Sequence, residues 1–184
     1  KFDFDIRNYD VNDMMKLTEN MIKDIFNHIY EESFIVYNDN KIDMKNNFEI
    51  LDFKASINQY ANLDIDKVSE KELIEFINKA KIKINKNESY GNLLDKVFSH
   101  FVEPKLINPT FVINYPIELS PLAKKIKTNS SIVGRFELFI GGMEIANAFT
   151  ELNDPIDQFE RLEAQSNLRE LGDDEAQTLD LDFI

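Results

Sequence analysis

The sequence predicts an α+β fold built on an antiparallel sheet with flanking helices, and three observations carry that prediction. Helix-period segments dominate the first hundred residues. Two strand-period segments, 135–140 and 143–150, are separated only by Gly141-Gly142, the chemistry of a tight hairpin. A third β-rich run, Thr110-Phe111-Val112-Ile113-Asn114-Tyr115, is closed by Pro116, which cannot donate to a ladder.

Each element follows from local pattern. Phe2 to Ile6 alternates apolar and acidic residues, as a half-buried strand does. Asp10 or Asn12 caps a helix whose apolar stripe is Met14, Leu17, Met21, Ile22, Ile25, Phe26 and Ile29. Phe34 to Tyr37 reads as a short strand, Asn38-Asp39-Asn40 as its turn, and Ile42 to Met44 as the returning strand. Ser69 and Glu72 form a capping box for a helix that buries Leu73, Phe76, Ile77 and Ala80. Tyr90 to Val102 is a third helix through Leu93, Leu94, Val97, Phe98 and Phe101, and Asn108-Pro109 ends that region. Lys124 to Ser131 reads as a polar loop, and Asp154 or Pro155 opens a helix reaching about Leu168. Gly172-Asp173-Asp174-Glu175-Ala176 reads as an acidic turn with a short helical start.

Composition narrows the class. The 184 residues are 43% hydrophobic, enough for one domain with a sizeable core. Fifteen Phe and no Trp mean a core of Phe, Ile and Leu. The absence of Cys excludes a disulfide scaffold, a thiolate metal site and a Cys nucleophile, and fits a reducing compartment. No apolar run approaches the ~20 residues of a membrane span, and no signal peptide opens the sequence. The start at Lys1 rather than Met, already in strand-like alternation, reads as a fragment boundary. The net charge of −13 argues against a main nucleic-acid grip within this piece. Most Lys residues lie between Lys67 and Lys127, and the last third is strongly acidic.

The chemistry concentrates between Arg135 and Asp154. Glu137 lies on one strand and Glu144 just past the Gly-Gly turn, so a hairpin brings two carboxylates toward each other. Two hard oxygen ligands without His or Cys suit magnesium, with water or phosphate completing the shell. Asn147, Phe149 and Glu151 have period-two spacing and share a face. A carboxylate beside an aromatic ring offers a small cation an ion pair and a cation–π surface worth about 0.5–2 kcal/mol. Spacing alone favours a plainer reading, in which the Glu residues form the wet face of a sheet and Asn153-Asp154-Pro155 is only a turn and cap. His28 and His100 fall in no catalytic pattern and read as structural. Lys124, Lys125 and Lys127 with Thr128 to Ser131 read either as a contact for nucleic acid or phosphate or as a solvated loop, and Lys79, Lys81, Lys83 and Lys86 read as a wet helix end.

The stretch from Arg135 to Asp154 resembles the segment between motifs 2 and 3 of class II lysyl-tRNA synthetases. Further motifs agree in the family's order: Asn108-Pro109-Thr110-Phe111, Tyr115-Pro116, Ser120-Pro121-Leu122-Ala123-Lys124, Glu151-Leu152-Asn153-Asp154-Pro155, Gln158 and Arg161. The series continues with Gly172-Asp173-Asp174-Glu175-Ala176 and Asp180-Leu181-Asp182-Phe183-Ile184, while Tyr9-Asp10 and Asn12 to Glu19 resemble the helix after motif 2. The resemblance covers nearly the whole chain and is weakest between Phe34 and Ser89. It divides the chain into a post-motif 2 strand and helix (1–33), a more variable insertion (34–108), and the lysine and ATP-magnesium strands with their following helix (109–184).

By resemblance, Glu137 and Glu144 match the carboxylates that hold magnesium on ATP. Asn147, Phe149 and Glu151 match residues around the substrate lysine, with Glu151 pairing an ammonium group. The implied reaction joins L-lysine to ATP as lysyl-adenylate, releases pyrophosphate and passes the lysyl group to tRNA(Lys), without a protein nucleophile. The implied parent is a homodimeric ligase, cytoplasmic or organellar, with no membrane segment. The family's Glu-x-Tyr at the tail of motif 2 falls on Asp3 and Asp5, one keeping the charge on a shorter side chain and one replacing a phenol. Motif 1, the motif 2 loop, motif 3 and the anticodon-binding barrel have no counterpart in the 184 residues, so the piece alone is expected to be inactive. Two rivals stay open: a synthetase paralogue with a non-tRNA acceptor, and a degenerate synthetase-like binding module.

Overall fold

A computed structural model describes residues 2–85, 87–172 and 176–182. Asp173, Asp174, Glu175, Phe183 and Ile184, which belong to the expected acidic turn and the last motif, lie outside the described residues, as do Lys1 and Lys86.

Helix α1 (Val11–Ile29) begins where Asp10 accepts the amides of Asn12 and Asp13 at 2.8 and 3.0 Å, and Asp13 returns a bond from the Asp10 amide. Strands β1 (Phe34–Tyr37) and β2 (Asn40–Asp43) form the expected hairpin, with Asn38 and Asp39 both at positive φ in the turn. Strand β3 (Glu49–Asp52) runs directly into α2 (Phe53–Ala61), and Asp52 caps that helix by accepting the Ala55 amide. No turn residue stands between β3 and α2, which is why no sequence signal separates them. Helix α3 (Glu70–Lys79) carries the Ser69–Glu72 capping box, and α4 (Tyr90–Phe101) follows the Ser89 cap.

Strand β4 (Thr110–Ile113) stops two residues short of Tyr115 because Asn114 turns into the left-handed region at φ 59°. The expected polar loop at 124–131 is instead a small ribbon, β5 (Lys125–Ile126) paired with β6 (Asn129–Val133). Ile132 bridges to Pro116 and the Val133 amide donates to Tyr115, so backbone bonds anchor a segment whose side chains look like loop. Strands β7 (Arg135–Ile140) and β8 (Met143–Phe149) turn through Gly141 and Gly142 at φ 64° and 75°. Helix α5 (Pro155–Glu170) starts at the Asp154 cap. Among the described residues no helix is long and apolar enough to cross a membrane.

Phe2 to Ile6 is not a strand. Its alternation reports one-sided burial, with Phe4 and Ile6 half-buried and Asp3 and Asp5 exposed, but no described ladder includes it. The helix stripe on α1 is also only partly used. Phe26 is buried and Met14, Met15 and Ile22 pack inward, while Ile25 and Ile29 are 53% and 66% exposed.

The main sheet has the order β3-β4-β7-β8. β4, β7 and β8 are antiparallel neighbours, and β3 lies parallel to β4 at one edge, so the sheet is mixed rather than wholly antiparallel. Alternate residues send side chains to opposite layers. Phe111, Phe136, Leu138 and Ile140 pack against α1 and the β1–β2 hairpin. Val112, Tyr115 and Phe139 pack against α2, α3 and α4, where the Phe53 ring lies 4.9 Å from those of Phe98 and Tyr115. Burial of each such Phe contributes about 1.5–3 kcal/mol.

Candidate active site

The candidate site is the β7–β8 face on the α2–α4 side of the sheet, beyond the cover of those helices. Arg135 pairs with Phe149, Glu137 with Asn147, and Phe139 with Glu144, so all six side chains share one face. Simple alternation does not give this result, since Glu144 and Asn147 are three apart. A β-bulge between Leu138 and Phe139 leaves Ile145 without a partner and shifts the parity of β8, which returns Glu144 to the Glu137 face. The reversed face of β8 carries Ala146 and Ala148, packed in the α1 layer.

Glu137 is buried at 9% exposure and both of its oxygens are held. Oε2 accepts the Tyr115 hydroxyl at 2.7 Å, and Oε1 accepts a short charge-assisted bond from Nη2 of Arg135. The Arg135 guanidinium also donates from Nη1 to the Leu119 carbonyl at 2.7 Å and Ser120 Oγ at 2.8 Å, and from Nε to Asn147 Oδ1 at 3.3 Å. It lies 4.7 Å above the Tyr115 ring. Burial pushes the Tyr115 phenol far above its ordinary range, and the charge of Glu137 and its hydrogen bond push the same way. Tyr115 therefore remains a donor.

The Glu144 carboxyl is raised, first by desolvation and then by the charge of Glu137. The structure thus brings the two carboxylates together. Two of them do not make a closed metal site, and the described residues contain no group of three His, Cys, Asp or Glu side chains able to hold an ion. Two hard carboxylates on one face fit a magnesium whose remaining ligands are water and phosphate oxygens.

Glu151 lies past the end of β8, where it bridges to Ala123. Its carboxyl is raised by desolvation and then by the charge of Asp5. Asp5 is thus near enough for its charge to be felt at Glu151, although the segment 2–6 forms no strand there. Asp3 is exposed on the same segment, and Phe149 is 40% exposed on the site face.

The flanking motifs are mostly structural. Leu152 is buried, Asn153 accepts Lys124 Nζ at 2.7 Å, Asp154 caps α5 and Pro155 is its first residue. Arg161, 8% exposed, donates to the carbonyls of Ser120 and Ala123 and pairs with Asp157 at 2.8 Å. Lys125 reaches Asp157 at 2.9 Å, and the hydrogen bond from Arg161, followed by that from Lys125, holds the Asp157 carboxyl down to about 2. His28 and His100 are exposed residues in the last turns of α1 and α4, away from this face. Sequence reasoning missed Arg135 and Tyr115 as members of the site. The signal was present for both: Arg135 is two residues before Glu137 on one strand, and a buried phenol needs an acceptor.

The family of class II tRNA synthetases (D, K and N) matches residues 1–184. The chain belongs to that family. Curated relatives agree with the lysine branch of these synthetases. The chain is 41% identical over 173 residues to a lysine--tRNA ligase of Helicobacter hepaticus, covering 94% of this chain and 33% of the relative. It is 43% identical over 176 residues to a lysine--tRNA ligase of Staphylococcus epidermidis, covering 95% and 36%. The match to a lysine--tRNA ligase of Listeria monocytogenes is 42% over 176 residues, covering 95% and 35%. The chain thus spans about a third of the length of the synthetases it matches.

Proposed function

We infer that the chain is the lysine-binding and ATP-magnesium-binding wall of a lysine--tRNA ligase catalytic domain. The observation that carries this reading is the single face that joins Glu137, Glu144, Asn147 and Phe149, with Glu151 continuing past the end of β8. Glu137 and Glu144 hold the magnesium carried by ATP; the ion, when bound, neutralises phosphate charge and helps orient the α-phosphorus. Tyr115 and Arg135 keep Glu137 fixed in one orientation. Glu151, with Asp5 near it, takes the lysine side-chain ammonium, Phe149 supplies an aromatic wall and Asn147 lines the floor. The lysine carboxylate is then positioned for in-line attack on the α-phosphorus, giving lysyl-adenylate and pyrophosphate before transfer to tRNA(Lys). Such catalysis depends on positioning and electrostatic stabilisation rather than on a protein nucleophile.

The active unit in this reading is the longer parent, a homodimeric cytoplasmic ligase.

The test is isothermal titration of the full-length protein with a non-hydrolysable lysyl-adenylate analogue. Tight, lysine-selective binding is expected, weakened tenfold or more by Glu151→Gln. Binding that does not distinguish lysyl from aspartyl or alanyl analogues would overturn the reading.

A further inference from the structure

Arg135 touches both halves of the site at once. Nη2 binds Glu137, Nε binds Asn147 Oδ1, and Nη1 is anchored on the Leu119 carbonyl and on Ser120 Oγ, which is itself buried. The guanidinium plane rests on Tyr115, whose hydroxyl holds the other oxygen of Glu137. A guanidinium is a rigid planar fork, so a movement at one of these partners is transmitted to the others. Lysine in the same place would offer one point charge and could not hold Glu137, Asn147 and Ser120 together.

We propose that Arg135 is a positioning residue that couples the two substrates, tying the geometry of Glu137 on the magnesium-nucleotide side to that of Asn147 on the amino-acid side. This rests on the reading above, in which those two residues face the two substrates. Nucleotide that draws on Glu137 thereby orders Asn147, and lysine that engages Asn147 steadies Glu137. Coupling of this kind is reciprocal and typically amounts to about 5–150-fold in affinity.

The experiment is calorimetric titration of the full-length protein with L-lysine, alone and in the presence of saturating magnesium and a non-hydrolysable ATP analogue. In the wild type the nucleotide strengthens lysine binding at least fivefold. In Arg135→Lys that factor falls to below twofold, whatever the change in affinity for lysine alone, and the melting temperature shows a folded protein. Ser120→Ala removes one anchor of the guanidinium and no proposed ligand-binding group, and lowers the factor partway; it carries the test if Arg135→Lys does not fold. A factor unchanged in a folded variant, or absent from the wild type, overturns the coupling role and leaves the lysine ligase reading standing. Failure of the wild type to bind lysine and magnesium-nucleotide at all overturns both.

Discussion

The Tyr115 hydroxyl donates to Oε2 of Glu137 at 2.7 Å, across the layer where the sheet meets α2 and α4. A site carboxylate is thereby fastened directly to the hydrophobic core. Tyr115→Phe keeps the ring packing on Phe53 and removes only that bond, and the expected loss is about 2 kcal/mol in denaturant unfolding near neutral pH. The sign with pH is set by the raised phenol. A folded pKa above the unfolded value of about 10 means that the contribution of the phenol is complete below pH ~10 and declines above it, as the unfolded chain ionises. The stability gap between wild type and variant should therefore narrow between pH 9 and pH 11.

Glu144 sits in the opposite balance. Its carboxyl is raised by desolvation and by Glu137, so the fold favours the protonated form and loses that preference as pH rises through the carboxylate range. Glu144→Gln should raise the melting temperature at pH 7 by about 1–3 °C, and the gain should vanish near pH 4. The same variant should weaken magnesium-nucleotide binding in the full-length protein. Stability scans at the two pH values, paired with calorimetry, check both halves.

Asp157 holds Arg161 and Lys125 between α5 and the Ser120–Ala123 loop. Its carboxyl is held down to about 2, so its contribution is present above the unfolded value near 4 and is lost as pH falls from about 4 to about 2. Asp157→Asn leaves the Arg161 guanidinium buried without its counter-charge and should cost about 3 kcal/mol at neutral pH. Urea melts at pH 7 and pH 3 should show the penalty shrinking at the lower value.

Gly91, the second residue of α4, lies against the backbone of Glu118. A Cβ there would lie 2.9 Å from the Glu118 carbonyl oxygen, a contact that neither backbone can relieve without moving. Gly91→Ala should destabilise by about 1–3 kcal/mol although alanine is the better helix former. An unchanged denaturation midpoint would show that the helix start has room to shift.

The elements with strong local punctuation were legible from the sequence. Capping at Asp10 and Ser69, the Asn38-Asp39 and Gly141-Gly142 turns and the Asp154-Pro155 helix start all match the structure, because each is decided within four residues. What was hidden depends on distant partners. The sequence of β3 has no turn before α2, and its identity as a strand comes from β4. The 2–6 segment alternates correctly for a strand and lacks the neighbour that would make it one. At the site, period-two counting put Asn147, Phe149 and Glu151 on one face, but the bulge that brings in Glu144 leaves no trace in composition. The part played by Arg135 and Tyr115 emerges only when the Ser120 loop and β7 are seen side by side.

The parallel edge strand has a consequence in time. Glu49 pairs with Thr110, roughly sixty residues further along, and α2, α3 and α4 occupy the stretch between them. The β4–β7–β8 part of the sheet closes through much shorter excursions, whereas β3 can dock only after that long excursion has been collected and its closure entropy met. β3 is then the late-arriving strand of the sheet and the first to open. In hydrogen exchange its amides should trade with solvent well before those of β7, so the edge far from the site breathes while the carboxylate hairpin keeps its shape.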